Sequence, residues 1–418
     1  MGIRKWLAGL LAASLVAVAL AGCGGGQNQQ GEQSQQGSGS QQTGTGGPTG
    51  KTITVFSHLT PNEIKELQNL AAKYSQETGN KVNVVQSEAD FQAEALAAQS
   101  KKFDVMYGLP NDNLGTFQRA GLVAEVPEGL IDWSVFNPVA VEAVTIEGKK
   151  WAAPVALETY ALFYNTEKVP QPPASFEELV QIAKEKGGFA FDINNFYYSF
   201  AFLSANGGYV FKNNNGTLDV NDIGLANEGA IKGWEFLQKL VTEHKFMDPS
   251  IAGDIAEGMF TQGKTAFFIS GPWSVAGLKE AGTPFAVAPL PTLNGNPLRP
   301  FVGVQVAFVN ARSDNRDVAF DFIKWMVKNG AELYKVGNRL PVVNEVLNSA
   351  EVQNDPILRG FVESSKNGIP MPNIPEVQAM WTPGANALKA LTAGEITPEQ
   401  AAQQVVQEMK LGIEQMRK

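Results

Sequence analysis

Aromatic rings, carboxamides and carboxylates recur in this chain just beyond segments that read as β-strands. Tyr107 ends one such segment, with Asn111, Asp112 and Asn113 shortly after it. Asn194, Asn195, Tyr197 and Tyr198 follow another, and Glu158 stands between two more. Trp273 closes Ile269-Ser270-Gly271-Pro272-Trp273, while Trp381 comes after Met371-Pro372-Asn373-Ile374-Pro375. Such a set suits a sugar. A pyranose ring offers an apolar C–H face for stacking and a rim of hydroxyls, so aromatic faces supply burial and groups such as Asp112 and Glu158 supply direction. Any one of these rings taken alone reads more simply as core; their recurrence at strand ends is what marks a site.

Other chemistries are poorly supplied. His58, His244 and Cys23 are the only histidines and cysteine, a poor ligand set for zinc, so neither metal nor cofactor is expected. Thr45-Gly46-Gly47-Pro48-Thr49-Gly50-Lys51-Thr52 ends like a phosphate-binding loop. However, Thr45 replaces its first glycine, and the stretch follows a coil and enters a strand, the wrong context for that loop. Asp219-Val220-Asn221-Asp222 begins like a calcium loop, but Ile223 and Gly224 break the ligand series and leave a turn beside a strand.

The elements that must position these residues alternate. Thr52–Ser57 reads as a strand, and Thr60-Pro61-Asn62-Glu63 as a capping box with proline at the first helical position. Ile64, Leu67, Leu70, Ala71 and Tyr74 recur at helical spacing up to Gly79. Strands are predicted at 81–86 and 103–107 with a helix over 91–100 between them, giving βαβαβ and a mostly parallel sheet covered by helices. Further strands are predicted at 151–155, 160–165 and 189–193, with a helix over 176–186. In open α/β sheets a ligand lies beyond the carboxyl ends of the strands, and between two lobes the cleft is the default site.

The first 50 residues carry an address. Arg4 and Lys5 precede an apolar run from Trp6 to Ala21, and Leu20-Ala21-Gly22-Cys23 reads as a lipobox ending a secretory signal over residues 1–22. Cleavage would leave Cys23 as a lipidated first residue, placing the protein outside the cytoplasm on the cell membrane. Residues 24–50 are nearly all Gly, Gln, Ser, Thr and Asn, with Glu32 the only charge, too polar to fold and suited to a flexible tether. ATP, NAD and nucleic acid are scarce in that compartment, and a net charge of −9 argues against a polyanion partner. With one cysteine and no internal disulfide, stability must come from hydrophobic cores, for which roughly 370 residues suffice in two domains.

The chain from about Lys51 onward resembles the extracellular solute-binding proteins of ABC sugar importers, and within them the maltose/maltodextrin-binding proteins. The segments that carry the resemblance include Gly121-Leu122-Val123-Ala124-Glu125, Leu162-Phe163-Tyr164-Asn165 and Ala205-Asn206-Gly207-Gly208-Tyr209-Val210-Phe211-Lys212. Pro300-Phe301-Val302-Gly303-Val304, the Gly271-Pro272-Trp273 segment and Met371-Pro372-Asn373-Ile374-Pro375 complete it. The resemblance implies a two-lobed periplasmic-binding-protein fold, α/β in class, with each lobe a mostly parallel sheet flanked by helices. Three crossing segments would hinge the lobes, residues 51–157 with 307–349 forming one and 161–301 with 354–418 the other. It also implies a monomer that closes on its ligand and docks on a membrane permease. By the same resemblance Trp273 and Trp381 stack glucosyl rings, Tyr197 is a third platform, and Glu158 and Asp112 bind hydroxyls. Tyr107 occupies the neighbourhood of an N-lobe tryptophan, and Asn111 lies in the same loop.

Three positions depart from the pattern: Asn195 replaces an acid, Ala385 an arginine and Gly253 a tyrosine. Stacking is kept while polar anchoring is thinned, which favours longer or cyclic maltodextrins over maltose alone. Three other readings stay open on sequence grounds. A carbohydrate hydrolase would need paired carboxylates about 5 to 9 Å apart across the scissile bond. A binder of another solute class shares the bilobal fold, and an adhesive surface protein would show no stabilisation by any sugar.

Overall fold

In the computed structural model, which describes residues 50–214, 217–331 and 333–417, the chain opens with the expected alternation. It runs β1 (Thr52–Ser57), α1 (Pro61–Thr78), β2 (Lys81–Gln86), α2 (Phe91–Gln99), β3 (Val105–Pro110) and α3 (Leu114–Arg119). Helix α1 begins where the capping box predicts: the Glu63 carboxylate accepts from the Thr60 N–H at 2.9 Å and from its hydroxyl at 2.7 Å. Gly79 ends it in the left-handed region, at φ 76°. The signal, Cys23 and the tether up to residue 49 lie outside the described residues.

Next come β4 (Ala153–Glu158), β5 (Ala161–Asn165), α4 (Phe176–Lys186), β6 (Phe189–Ala190), α5 (Phe196–Ser204), α6 (Glu228–Thr242) and α7 (Gly253–Thr261). Then follow β7 (Phe267–Ser270), α8 (Trp273–Glu280), β8 (Phe285–Ala288), β9 (Phe301–Val309), α9 (Arg316–Asn329), α10 (Leu333–Gly337) and β10 (Leu340–Pro341). The chain finishes with α11 (Pro356–Ser365), β11 (Ile369–Pro370), α12 (Trp381–Thr392) and α13 (Pro398–Met416). Asp219 turns the chain beside a short strand, its carboxylate accepting from the Asn221 N–H at 3.0 Å.

Two sheets carry these elements, in the orders β10–β4–β9–β3–β1–β2, with β11 added to β9, and β8–β5–β7–β6. Strands β2, β1 and β3 are parallel, as right-handed βαβ units require. The mostly parallel sheets expected from sequence are, however, mixed. Strand β9 runs antiparallel to β3 and β4, and β5 runs antiparallel to β7 and β8. The reason lies in the crossings. After β4 the chain leaves the first sheet, builds the second, and returns as β9 from the edge where β4 ended, so β9 enters in the opposite sense.

All nine residues of β9 are buried, which its unbroken apolar run Phe301-Val302-Gly303-Val304 foreshadows for a central strand. Around the second sheet the core is built from phenylalanines, with Phe176 and Phe202 centroids 4.9 Å apart and Phe189 and Phe191 5.2 Å apart. Truncating one such ring costs about 3–5 kcal/mol, the scale of stabilisation a chain with no internal disulfide depends on. Among the described residues no helix is long and apolar enough to cross a membrane, and no group of three His, Cys, Asp or Glu is placed to hold a metal.

Candidate functional site

The candidate edge follows from the strand ends. Strand β3 runs into Asn111 and Asp112, β4 ends at Glu158, and Glu158 pairs in register with Gly303 near the start of β9. On the second sheet β7 ends at Ser270, opposite Ala161 at the start of β5, and α8 follows with Trp273 as its first residue. Thr159 and Tyr160 join β4 to β5, so both edges converge where the chain crosses between sheets.

An aromatic belt lines this convergence. The Tyr197 ring centroid lies 6.3 Å from Trp273 and 6.2 Å from Phe301, and Phe301 lies 6.3 Å from Trp381. Phe301 is fully buried and stacked on Phe200 at 4.0 Å, while Tyr197, Trp273 and Trp381 are each half-buried. The buried Phe301 ring thus backs two partly exposed ones, and Tyr197 carries the belt on to Trp273. The Tyr197 hydroxyl is buried without a hydrogen-bond partner, and burial pushes its ionisation well above the usual phenol range, so it remains an O–H donor. Trp273 takes its orientation from Gly271, where a β-carbon would collide with the indole.

Carboxylates stand beside the belt. Glu158, at 8 % exposure, accepts from Gln305 Nε2 at 3.0 Å through one oxygen and from Arg339 Nη1 through the other. Asp112, equally buried, accepts from Asn113 Nδ2 at 3.1 Å and Gln378 Nε2 at 3.3 Å. Burial pushes its carboxyl up to about 7, with the Glu158 charge adding; hydrogen bonds from Gln378 and the Trp381 side chain oppose the rise. The site therefore pairs stacking surfaces with one carboxylate fixed by a cation and another close to titration at neutral pH.

Some expected residues have other tasks. Asn111 is fully engaged with backbone: its oxygen accepts from Val304 N–H and its nitrogen donates to the Met371 carbonyl, both at 2.9 Å. It staples the loop after β3 to two crossing segments. Asn195 caps α5, accepting from the Tyr197 N–H at 3.1 Å, and so sets where the Tyr197 ring begins. Tyr107 does not join the belt. Its side chain lies in the core of the first sheet and lines a cavity of about 40 Å³ with Ile323, Met326 and Pro341, because both faces of β3 are buried and its register turns Tyr107 inward. Phe301, Gln378 and Arg339 were not picked out from the sequence.

A cavity of about 1080 Å³ lies apart from most of this cluster. It runs between Trp133, Glu142, Phe211 and Met371, and of the belt only Phe301 lines it. A smaller hollow of about 710 Å³ is lined by Asp192, Asn195, Ala385 and Lys389.

Comparison with known proteins places this fold. The profile described as bacterial extracellular solute-binding protein matches residues 69–360. The chain belongs to that family. A maltose-maltodextrin binding protein of Alicyclobacillus acidocaldarius superposes on this solute-binding protein with a TM-score of 0.82 at 36 % identity, covering 86 % of this chain and all of the other. The galactooligosaccharide-binding protein of Bacillus subtilis is 31 % identical over 384 residues, 87 % of this chain and 91 % of the relative. A maltooligosaccharide ABC transporter solute-binding lipoprotein of Streptococcus pneumoniae is 30 % identical over 369 residues, 84 % of this chain and 86 % of the relative. The fold is thus the two-lobed α/β one of the maltodextrin binders, and these relatives are binding proteins, not enzymes, which sets the hydrolase reading aside.

Proposed function

We propose that this solute-binding protein takes maltose- and maltodextrin-type α-glucans between its lobes and delivers them to the permease of an ABC importer. The observation that carries the reading is the belt Trp273–Tyr197–Phe301–Trp381 with Glu158 and Asp112 beside it. Trp273, Trp381 and Tyr197 supply faces for glucosyl rings, and the two carboxylates take hydroxyls. The lobes are residues 51–157 with 307–349 and 161–301 with 354–418. A ligand touching both binds the closed form better, and that differential affinity drives closure.

Longer or cyclic dextrins are the preferred ligands, because Asn195, Ala385 and Gly253 thin the polar anchoring while the stacking faces are kept. A different oligosaccharide is the second reading, supported by the galactooligosaccharide-binding relative. Calorimetric titration of the fragment from Lys51 onward with maltose, maltotriose, maltoheptaose, a cyclodextrin and a galactooligosaccharide tests both. Maltoheptaose or cyclodextrin binding at least as tightly as maltose is expected. Binding of the galactooligosaccharide alone moves the assignment to that sugar class.

The protein works from the membrane, held by lipid on Cys23, which raises its effective concentration near the permease. Two or more acyl chains make such anchoring lasting, where one is marginal.

A further inference from the structure

Arg339 lies between two buried carboxylates, at 5 % exposure, on the short link between α10 and β10. Its Nε and Nη2 donate to the two oxygens of Glu63 at 2.6 and 3.2 Å, and Nη1 donates to Glu158. Glu63, at 1 % exposure, is fixed in turn by the Thr60 N–H and hydroxyl. Gly337 makes room for it, since a β-carbon there would collide with the Glu63 carboxylate. Burial opposes ionisation of Glu63, but the Arg339 charge and the Arg339 and Thr60 hydrogen bonds outweigh it and hold the carboxyl below its ordinary range.

Arg339 and Glu63 already form a complete bidentate pair of balanced charge. A second carboxylate on the same guanidinium adds an excess negative charge to a buried place, and structural economy alone favours an apolar side chain there. Glu158 also stands at the candidate edge, close enough for its charge to act on Asp112 and Tyr197. Gln305 and Arg339 each hold one of its oxygens, which fixes the plane of the carboxylate and leaves it lone pairs for a further donor.

We propose that Arg339 is a positioning residue for Glu158, so that sugar affinity depends on a guanidinium standing behind the carboxylate and anchored to the first turn of α1. This rests on the reading of Glu158 as a ligand group. The role is distinct from support of the fold, because the same arginine serves a pair that is complete without Glu158.

Arg339→Met alone strands two buried charges, so the test uses a Glu63→Gln background, in which Arg339 and Glu158 remain a balanced pair. Maltotriose affinity is measured by calorimetry for E63Q, E63Q/R339M, E63Q/R339K, E63Q/E158Q and E63Q/E158Q/R339M, with circular dichroism confirming each fold. Losing Arg339 is expected to weaken binding at least tenfold when Glu158 is present and less than threefold when Gln stands at 158, with R339K recovering part of the loss. Equal losses in both backgrounds, or affinity within twofold between E63Q and E63Q/R339M, overturn the proposal. Wild-type protein that binds no dextrin overturns the functional reading as well; wild-type binding with a flat cycle overturns this inference alone.

Discussion

The indole of Trp273 folds back over Gly271, filling the space a β-carbon at residue 271 would need. The glycine is therefore part of the stacking surface, since it decides which way the ring faces. Gly271→Ala is expected to swing the indole and weaken maltodextrin binding at least threefold, with little change in melting temperature. The double variant with Trp273→Ala should bind no worse than W273A, because the two changes remove one platform. Additive losses would show that Gly271 acts on something other than the ring.

Trp273→Ala itself should lower affinity more than tenfold while the protein stays folded, as an aromatic contact residue commonly contributes about 2 kcal/mol. The ring is half-buried at the start of α8 and not in the fully enclosed core, so stability should suffer less than binding. Unchanged affinity in a calorimetric titration returns Trp273 to the role of a packing residue.

Asp112 links the site to pH. Its carboxyl is pushed up to about 7, chiefly by burial, whereas in the unfolded chain an aspartate ionises near roughly 3.9. Between about pH 4 and 7 the folded protein keeps a proton that the unfolded chain has lost, so this group's contribution to stability falls as pH rises through that window and levels off above it. Asp112→Asn removes the slope. Without sugar, the variant should match the wild type near pH 4 and exceed it by on the order of 4 kcal/mol at pH 8. Urea unfolding across that range decides; a wild-type-minus-variant difference that stays constant with pH sinks the idea.

Part of the candidate site was legible because some of its residues stand at strand ends. Glu158 ends β4, Asp112 follows β3 and Trp273 follows β7, whereas Trp381 follows the 3-10 helix Pro375–Met380 and not a strand. Tyr107 stands at a strand end too, yet β3 is buried on both faces, so no polar alternation marks which side faces the cleft. Phe301 is hidden for a similar reason, as one apolar residue in an apolar strand. Arg339 is separated from Glu158 by 181 residues and from Glu63 by 276, and pairing at such range leaves no local spacing to read. The mixed strand directions escaped as well, because local β–α alternation says nothing about a strand that returns from a second sheet.

Cys23→Ala should abolish lipidation while leaving sugar affinity unchanged, because the tether from Gly24 onward has no apolar groups with which to join the binding body. Fractionation of cells with calorimetry of the released or unprocessed protein checks this. Release without any loss of sugar uptake would remove the anchor from the transport mechanism.

The hollow beside Ala385 offers a test of ligand length. Asn195 and Ala385 line the hollow of about 710 Å³ with Asp192 and Lys389, and a β-carbon on Gly253 would stand 3.5 Å from the Asp192 carboxylate. The small Ala385 side chain thus keeps the hollow roomy, and Gly253 leaves space beside Asp192. Ala385→Arg should narrow it and add donors for a short sugar, while a guanidinium beside Lys389 disfavours nothing that is neutral. The ratio of maltoheptaose to maltotriose affinity is expected to fall about fivefold, a difference near 1 kcal/mol. Gly253→Tyr should act in the same direction by crowding Asp192, which lines the hollow. Calorimetric titrations of both sugars against both variants give the ratio directly; if the two affinities change in parallel, the hollow plays no part in choosing chain length.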